Sequence, residues 1–175
     1  MLGFYEPDWK PPDSSNIEPL PAARSWSLSI APLRAKGTLV GSPSMATQKD
    51  EKWLTPFENA PQKPEWDFSV IHTNKPTIDG VKEDVEYYLA KYKKPVWVAE
   101  FACVEDKTWT LIDDDVRIAT FIRDTVDFLQ GNESVVAYGY SLGNGLGKTW
   151  PMINDQTGKI TAAGEVYLEA VSKYH

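Results

Sequence analysis

Cysteine and histidine are scarce in this chain of 175 residues, which contains one Cys and two His. The single thiol, Cys103, excludes an intrachain disulfide, and its place after a predicted strand is typical of a packed side chain. These residues form no cluster at metal-ligand spacing, so the sequence predicts no metal site. No motif that binds a cofactor is present, and we expect none to be bound.

Long hydrophobic runs are absent as well, and the longest is far shorter than the roughly 20 residues of a membrane-spanning helix. Basic residues are outnumbered, with 18 Lys and Arg against 25 Asp and Glu and a net charge of −7. Nucleic acids and anionic membranes attract basic surfaces, so we expect neither as a partner. The first residues lack the pattern of a signal peptide, which predicts a cytoplasmic chain, or a secreted one if it is processed or a fragment.

Apolar and aromatic residues are plentiful, at 42% hydrophobic with 7 Trp and 8 Tyr, and predict a globular domain. Short apolar runs typical of strands alternate with segments that have helical spacing. The predicted strands cover residues 2–5, 38–41, 67–72, 96–100 and 135–140, and the predicted helices cover residues 22–34, 52–59, 81–92, 114–129 and 162–174. This alternation of about five β/α units predicts an α/β fold, with a parallel sheet covered by helices, in one domain over residues 1–175.

Two of the predicted strands lead into a glutamate. Glu6 follows Gly-Phe-Tyr, and Glu100 follows Pro-Val-Trp-Val-Ala. In an α/β barrel the carboxyl ends of the strands carry the catalytic side chains. Hydrolysis of a glycosidic bond needs two carboxyl groups, one that protonates the leaving oxygen and one near the anomeric carbon. The pattern therefore favours sugar chemistry at Glu6 and Glu100, and the alternative is a pair of solvated glutamates at strand ends.

Aromatic residues near the predicted strand ends are candidates for sugar binding, because the flat C–H faces of sugar rings pack on aromatic rings. The candidates are Trp9, Trp109, Tyr140 and Trp150, whereas Trp26, Trp53 and Trp97 fit positions in the core. His72 and Asn74, where the strand 67–72 ends, are candidates to bond sugar hydroxyls. For His72 a packed core histidine is the alternative.

Segments 2–8, 67–72 and 94–103 resemble glycoside hydrolase family 128, a family of β-1,3-glucan-active TIM-barrel enzymes with a fungal branch. Segments 137–140 and 161–164 resemble the last strand and the last helix of that family. The resemblance implies a retaining endo-β-1,3-glucanase with Glu6 as the acid/base and Glu100 as the nucleophile. It also implies a partial (β/α)₈ barrel, because a complete one has eight units in about 250 residues and the resemblance begins at the family's fourth strand.

Departures from the family pattern leave a second function open. Tyr5 stands where the family has an Asn that bonds the sugar hydroxyl next to the reacting carbon, which makes Tyr5 itself a candidate sugar contact. Thr73 and Asn74 stand where the family has aromatic residues. The alternatives are an active β-1,3-glucanase and a lectin-like relative that binds an oligosaccharide or β-glucan without hydrolysing it.

About five strands do not close a (β/α)₈ barrel, and an open sheet has two edges with unpaired backbone groups. These edges are predicted at residues 2–5 and 135–140. Because unpaired edges attract further strands, we expect a homodimer that forms through them. The alternative is that the chain is a fragment of a longer protein.

Overall fold

The computed structural model describes residues 1–47, 49, 51–142 and 145–174. In these residues the helices are α1 (Pro19–Ser29), α2 (Ala31–Ala35), α3 (Glu51–Glu58), α4 (Ile78–Tyr92), α5 (Asp115–Gly131) and α6 (Ala162–Ser172), and the strands are β1 (Ser69–Lys75), β2 (Val96–Glu105), β3 (Thr110–Leu111) and β4 (Val135–Tyr140). The predicted α/β class is confirmed, and every predicted helix is present, the first as two successive pieces.

By their contacts, the residues divide into two compact units, one of Met1–His72 and Tyr87–Trp97 and the other of Thr73–Glu86 and Val98–His175. The extent of the domain stays a prediction.

The sheet is arranged around β2, which pairs with β1, with β3 and with β4. The β2–β3 pair is an antiparallel hairpin that the sequence does not predict, since β3 has only two residues, both exposed. Strand β2 continues to Glu105 because Phe101 to Val104 are all buried. The expectation that Glu100 and His72 end their strands is therefore wrong, since both lie within longer strands.

The predicted strands at residues 2–5 and 38–41 are extended but too short and irregular to be strands. They form single parallel bridges, from Tyr5 to Ser44 and from Gly41 to Phe68. Pro43 interrupts the pairing because proline has no N–H to donate to a ladder. The two segments approach closely at Gly3, where a Cβ would lie 2.7 Å from the Ser42 carbonyl.

The first unit has an aromatic core. The Trp26 ring contacts Phe57 edge-on at 5.4 Å, and Phe57 stacks on Trp53 at 5.1 Å. Trp26 and Trp53 are buried, as expected for core positions, whereas Trp97 is half-buried and stacks on Phe68 at 5.5 Å. Aromatic contacts of this kind add about 0.5–1.5 kcal/mol each to the free energy of burial.

The second unit is built around Phe101, whose ring contacts four aromatic neighbours at centroid distances of 5.7 to 6.4 Å. Helix α5 begins where the Asp114 carboxylate accepts the N–H groups of Val116 and Arg117, a regular N-cap. Cys103 is buried as predicted, and burial raises the pKa of its thiol to about 11. Within the described ranges, no helix is long and apolar enough to cross a membrane, and no group of His, Cys, Asp or Glu is arranged to hold a metal ion.

Candidate functional site

Glu6 lies in a tight turn directly after the Tyr5 bridge. Its backbone has a φ of +42°, and its carbonyl accepts the N–H of Trp9 at 3.0 Å. A positive φ is uncommon in a non-glycine residue and is maintained only where the surrounding structure holds it. Such conformations concentrate at functional sites, so the turn is consistent with a role for Glu6.

The Glu6 carboxylate is hydrogen-bonded to His72. Oε1 of Glu6 lies 2.8 Å from Nδ1 of His72, and the Glu6 side chain retains 16% exposure while the His72 side chain has none. The Tyr5 ring packs on the imidazole at a centroid distance of 5.1 Å and is itself 45% exposed. The structure therefore brings together three sequence-predicted residues, Tyr5, Glu6 and His72, which we call the Glu6 cluster.

The bonding of His72 indicates where its proton lies. Nε2 is buried and has no hydrogen-bond partner among the residues that the structure describes. A proton on Nε2 would be an unpaired buried donor, whereas a proton on Nδ1 is shared with the carboxylate. Donation from Nδ1 to the carboxylate avoids an unpaired donor at Nε2, and Glu6 is then the hydrogen-bond acceptor.

Asp8 is a residue of this region to which the sequence assigns no role. Its carboxylate accepts the N–H of Ala46 at 2.9 Å and both the N–H and the hydroxyl of Thr47, at 3.1 and 2.8 Å. Asp8 therefore ties the turn after Glu6 to the segment near residue 46. The next aromatic residue, Trp9, is 52% exposed, as a stacking platform requires.

Glu100 belongs to the other unit. Oε2 of Glu100 accepts the hydroxyl of Ser141 at 3.1 Å, and the side chain is half-buried. Ser141 is another residue that sequence reasoning misses as a partner, because the two residues lie 41 positions apart. No local pattern signals a contact of that range.

Trp109 occupies the turn between β2 and β3 and is 50% exposed. Its backbone φ of +51° is a left-handed conformation that a bulky residue rarely adopts. The exposed ring on a constrained turn agrees with the expectation that Trp109 is a platform, and its binding role stays a prediction.

The structure corrects the expectation that Tyr140 and Trp150 are surfaces for sugar stacking. Their relative exposures are 6% and 1%, and their rings stack on each other at 4.3 Å. Trp150 Nε1 donates to the Ser141 carbonyl, and the Tyr140 hydroxyl donates to the Trp150 carbonyl. Both rings are core residues of the second unit, so neither presents a face on which a sugar can stack.

Asn74 is also buried, and its Oδ1 has no partner in the part of the chain that the structure describes. Its contact with a sugar stays a prediction. The neighbouring Lys75 bonds Asp106 at 2.8 Å and pairs with Asp84 at 3.4 Å. Burial lowers the pKa of Lys75, but the two carboxylates outweigh it and raise the pKa, so Lys75 is a charged residue that fixes the end of β1.

Comparison with known proteins places these observations in a family. Residues 1–167 match the model of the glycosyl hydrolase catalytic core. The chain is 43% identical to a solved GH128 subgroup VII oligosaccharide-binding protein of Trichoderma gamsii, with a TM-score of 0.94. The match covers 99% of this chain and 68% of the Trichoderma chain. This protein belongs to glycoside hydrolase family 128.

A second GH128 structure, a subgroup VII oligosaccharide-binding protein of Cryptococcus neoformans, is 44% identical with a TM-score of 0.92, over 99% of this chain and 68% of that one. Among curated proteins, the chain is 28% identical over 177 residues to alkali-sensitive linkage protein 1 of Schizosaccharomyces pombe, covering 96% of this chain. This chain spans only 32% of the length of that curated relative. The family resemblance and the partial-barrel fold expected from the sequence are confirmed.

Proposed function

We propose that this chain binds β-1,3-linked glucan oligosaccharides through the Glu6 cluster and does not hydrolyse them. The observation that carries the proposal is the half-exposed Tyr5 ring packed on His72 beside a carboxylate that His72 already engages at 2.8 Å. An exposed aromatic face next to a carboxylate acceptor suits a sugar, which offers C–H faces and hydroxyl donors.

The hydrogen bond between Glu6 and His72 favours binding over hydrolysis. A glycosidic acid must hold a proton that it delivers to the leaving oxygen. In the Glu6 cluster the carboxylate is already engaged by His72 Nδ1 at 2.8 Å, and a proton on the buried Nε2 would have no hydrogen-bond partner among the described residues. Glu6 is therefore suited to accept a sugar hydroxyl.

The relatives support this reading. The two subgroup VII proteins at 43% and 44% identity are oligosaccharide-binding proteins. More distant solved GH128 proteins are exo- and endo-β-1,3-glucanases, which suggests β-1,3-linked glucose as the ligand class. The half-exposed Trp9, three residues after Glu6, adds a second aromatic face to the proposed site.

A retaining endo-β-1,3-glucanase is the second candidate, and the presence of both Glu6 and Glu100 favours it. In that mechanism Glu6 is the acid/base and Glu100 is the nucleophile, and the two carboxyl groups must lie about 5–5.5 Å apart. Substitution Glu100→Gln removes the nucleophile with little change in shape, so it separates the two candidates.

Calorimetric titration tests the binding proposal. We expect laminaripentaose, a β-1,3-linked pentamer, to bind the wild type, cellopentaose to bind more weakly, and Tyr5→Ala and Trp9→Ala to weaken binding. Leu28→Ala is the matched control, since Leu28 is an apolar residue on α1 that is 81% exposed. Equal affinity in Tyr5→Ala and the wild type would remove the Glu6 cluster from the site.

Reducing-end release from a soluble β-1,3-glucan tests the second candidate. We expect no release by the wild type. Release of reducing ends by the wild type that disappears in Glu100→Gln would show that the protein is a glucanase. It would reject the proposal of binding without hydrolysis.

The homodimer through exposed sheet edges stays a proposal. It rests on the edge of β4, which pairs only with β2 among the described strands. Light scattering at several protein concentrations tests it, and a monomer at all of them would reject it.

A further inference from the structure

Asp8 is the third residue of the turn that begins at Glu6. The Glu6 carbonyl accepts the Trp9 N–H at 3.0 Å, which closes a turn over residues 6–9. Asp8 therefore stands between two parts of the proposed glucan site, the Glu6 carboxylate and the half-exposed Trp9 ring. The proposed function so far gives the Asp8 side chain no part in binding.

Both carboxylate oxygens of Asp8 are engaged by one neighbouring segment. Oδ1 accepts the Ala46 N–H at 2.9 Å, and Oδ2 accepts the N–H and the hydroxyl of Thr47 at 3.1 and 2.8 Å. Hydrogen bonds to an ionised acceptor are stronger than those between neutral groups. Three donors on two oxygens make Asp8 a contact between chain segments, so its effect on a ligand is exerted through the residues that it holds.

The same neighbouring segment is also attached on the other side of Glu6. Tyr5 forms a parallel bridge with Ser44. Residues 44–47 are therefore joined to the chain just before Glu6 and again just after it. The first attachment uses backbone groups, whereas the second depends on the carboxylate of Asp8.

Backbone bonds from a third segment complete the loop. The Tyr5 carbonyl accepts the Ser15 N–H at 2.8 Å, and the Pro7 carbonyl accepts the Ile17 N–H at 3.3 Å. These bonds involve no side chain, so a substitution at Asp8 leaves their donors and acceptors in place. The contribution of Asp8 can therefore be tested separately from the rest of the loop.

Glu6 needs to be held because its backbone conformation is unfavourable. Its φ of +42° lies in the left-handed region, where a non-glycine residue remains only if the surrounding structure keeps it there. Its Oε1 lies 2.8 Å from His72 Nδ1, and a rotation of the turn would break that contact. The bonds of Asp8 thus fix the geometry in which Glu6 meets His72.

We propose that Asp8 is a positioning residue that keeps Glu6 on His72 and thereby sets the affinity of the Glu6 cluster for a glucan oligosaccharide. Asp8 increases the fraction of the protein in which Glu6 and Trp9 are placed to bind. The apparent affinity falls in proportion to that fraction. This inference rests on the proposed function, but its first step, from Asp8 through Glu6 to His72, takes place without a ligand.

NMR of the imidazole nitrogens in the free protein tests the first step. The chain has two histidines, His72 and the last residue, His175, so the spectrum of His72→Gln assigns both. We expect a fixed proton on His72 Nδ1 in the wild type. In Asp8→Asn the proton should exchange between the two ring nitrogens, because the amide has one acceptor oxygen and sets a donor against a backbone N–H. Asp13→Asn, the same change at a nearby exposed position, should give the wild-type spectrum. A His72 spectrum that Asp8→Asn leaves unchanged would overturn the proposal.

Calorimetric titration with laminaripentaose tests the second step. We expect Asp8→Asn to weaken binding about tenfold, because the turn without the carboxylate adopts the held conformation only part of the time. Asp13→Asn should bind as the wild type does. Equal affinity in Asp8→Asn and the wild type would overturn the proposal. A wild type that does not bind would overturn the proposed function and the effect on affinity with it, whereas the His72 spectrum alone decides whether Asp8 positions Glu6.

Two variants of Thr47 test the same contact if Asp8→Asn does not fold. Thr47→Val removes the hydroxyl that donates to Oδ2 and keeps the N–H, and Thr47→Ser keeps both donors. We expect Thr47→Val to shift the His72 signals and to weaken binding of laminaripentaose, and Thr47→Ser to restore both. A lower Tm in Thr47→Val with an unchanged His72 spectrum would show a purely structural role and would overturn the proposal.

Discussion

Substitution Asp67→Asn should destabilise the first unit by removing a charged acceptor that joins three chain segments. Oδ1 of Asp67 accepts Arg34 Nε at 2.9 Å and lies 2.8 Å from Nη2, and Oδ2 accepts the Val40 N–H at 2.8 Å. The Asp67 side chain is 23% exposed. An amide has only one acceptor oxygen, so it faces either Arg34 or Val40 and sets a donor against the other.

The expected cost is about 2 kcal/mol of unfolding free energy, since hydrogen bonds to charged groups contribute about 1.5–3 kcal/mol each and partial exposure reduces this. For a chain of this size that corresponds to a fall in Tm of about 4–8 °C. Thermal unfolding followed by circular dichroism measures it, with the exposed Asp13→Asn as the matched control. A fall in Tm no larger than in the control would refute the reasoning.

The destabilisation should also depend on pH. Burial raises the pKa of Asp67, but the hydrogen bonds from Val40 and Arg34 outweigh it and hold the pKa below the ordinary value of 3.8. A depressed folded-state pKa contributes stability above the unfolded-state value and loses it as the pH falls through the folded-state value. The stability difference between wild type and Asp67→Asn should therefore be constant near neutral pH and narrow below pH 3.8. A constant difference down to the most acidic pH that the fold survives contradicts this assignment.

Two further predictions concern the second unit. Burial raises the pKa of Cys103 to about 11, so a thiol reagent at pH 8 should modify it far more slowly in the folded protein than in denaturant, and equal rates would contradict its burial. Asp114→Ala removes the acceptor of two N–H groups at the start of α5 and should cost about 1 kcal/mol in urea unfolding, whereas Asp114→Asn should retain most of the stability. Equal losses in the two Asp114 variants would show that the cap is not the cause.

Local patterns predict the elements with a strong period well. The alternation in residues 135–140 predicts β4 with its observed bounds, and the apolar spacing in residues 114–129 predicts α5 to within two residues at its C-terminal end. Residues 2–5 have a strand-like composition, but among the described residues they form an isolated bridge, from Tyr5 to Ser44, instead of a regular ladder. Composition indicates an extended backbone and does not indicate how many partners the segment finds.

The candidate site is harder to predict because its contacts are distant in sequence. Glu6 and His72 are 66 positions apart, and no spacing rule connects them. Family resemblance identifies both residues, and the structure adds that they are bonded to each other. Trp150 illustrates the reverse error, since a loop position favours exposure but the ring is buried against Tyr140 and Phe101.

The most direct test of the central claim is saturation-transfer NMR of laminaripentaose mixed with the wild-type protein. It reports binding through the transferred saturation and hydrolysis through new anomeric signals from reducing ends. The account predicts saturation transfer that Tyr5→Ala weakens, with no new anomeric signals over a long incubation. No transfer to the wild type, or new anomeric signals that Glu100→Gln abolishes, would contradict it.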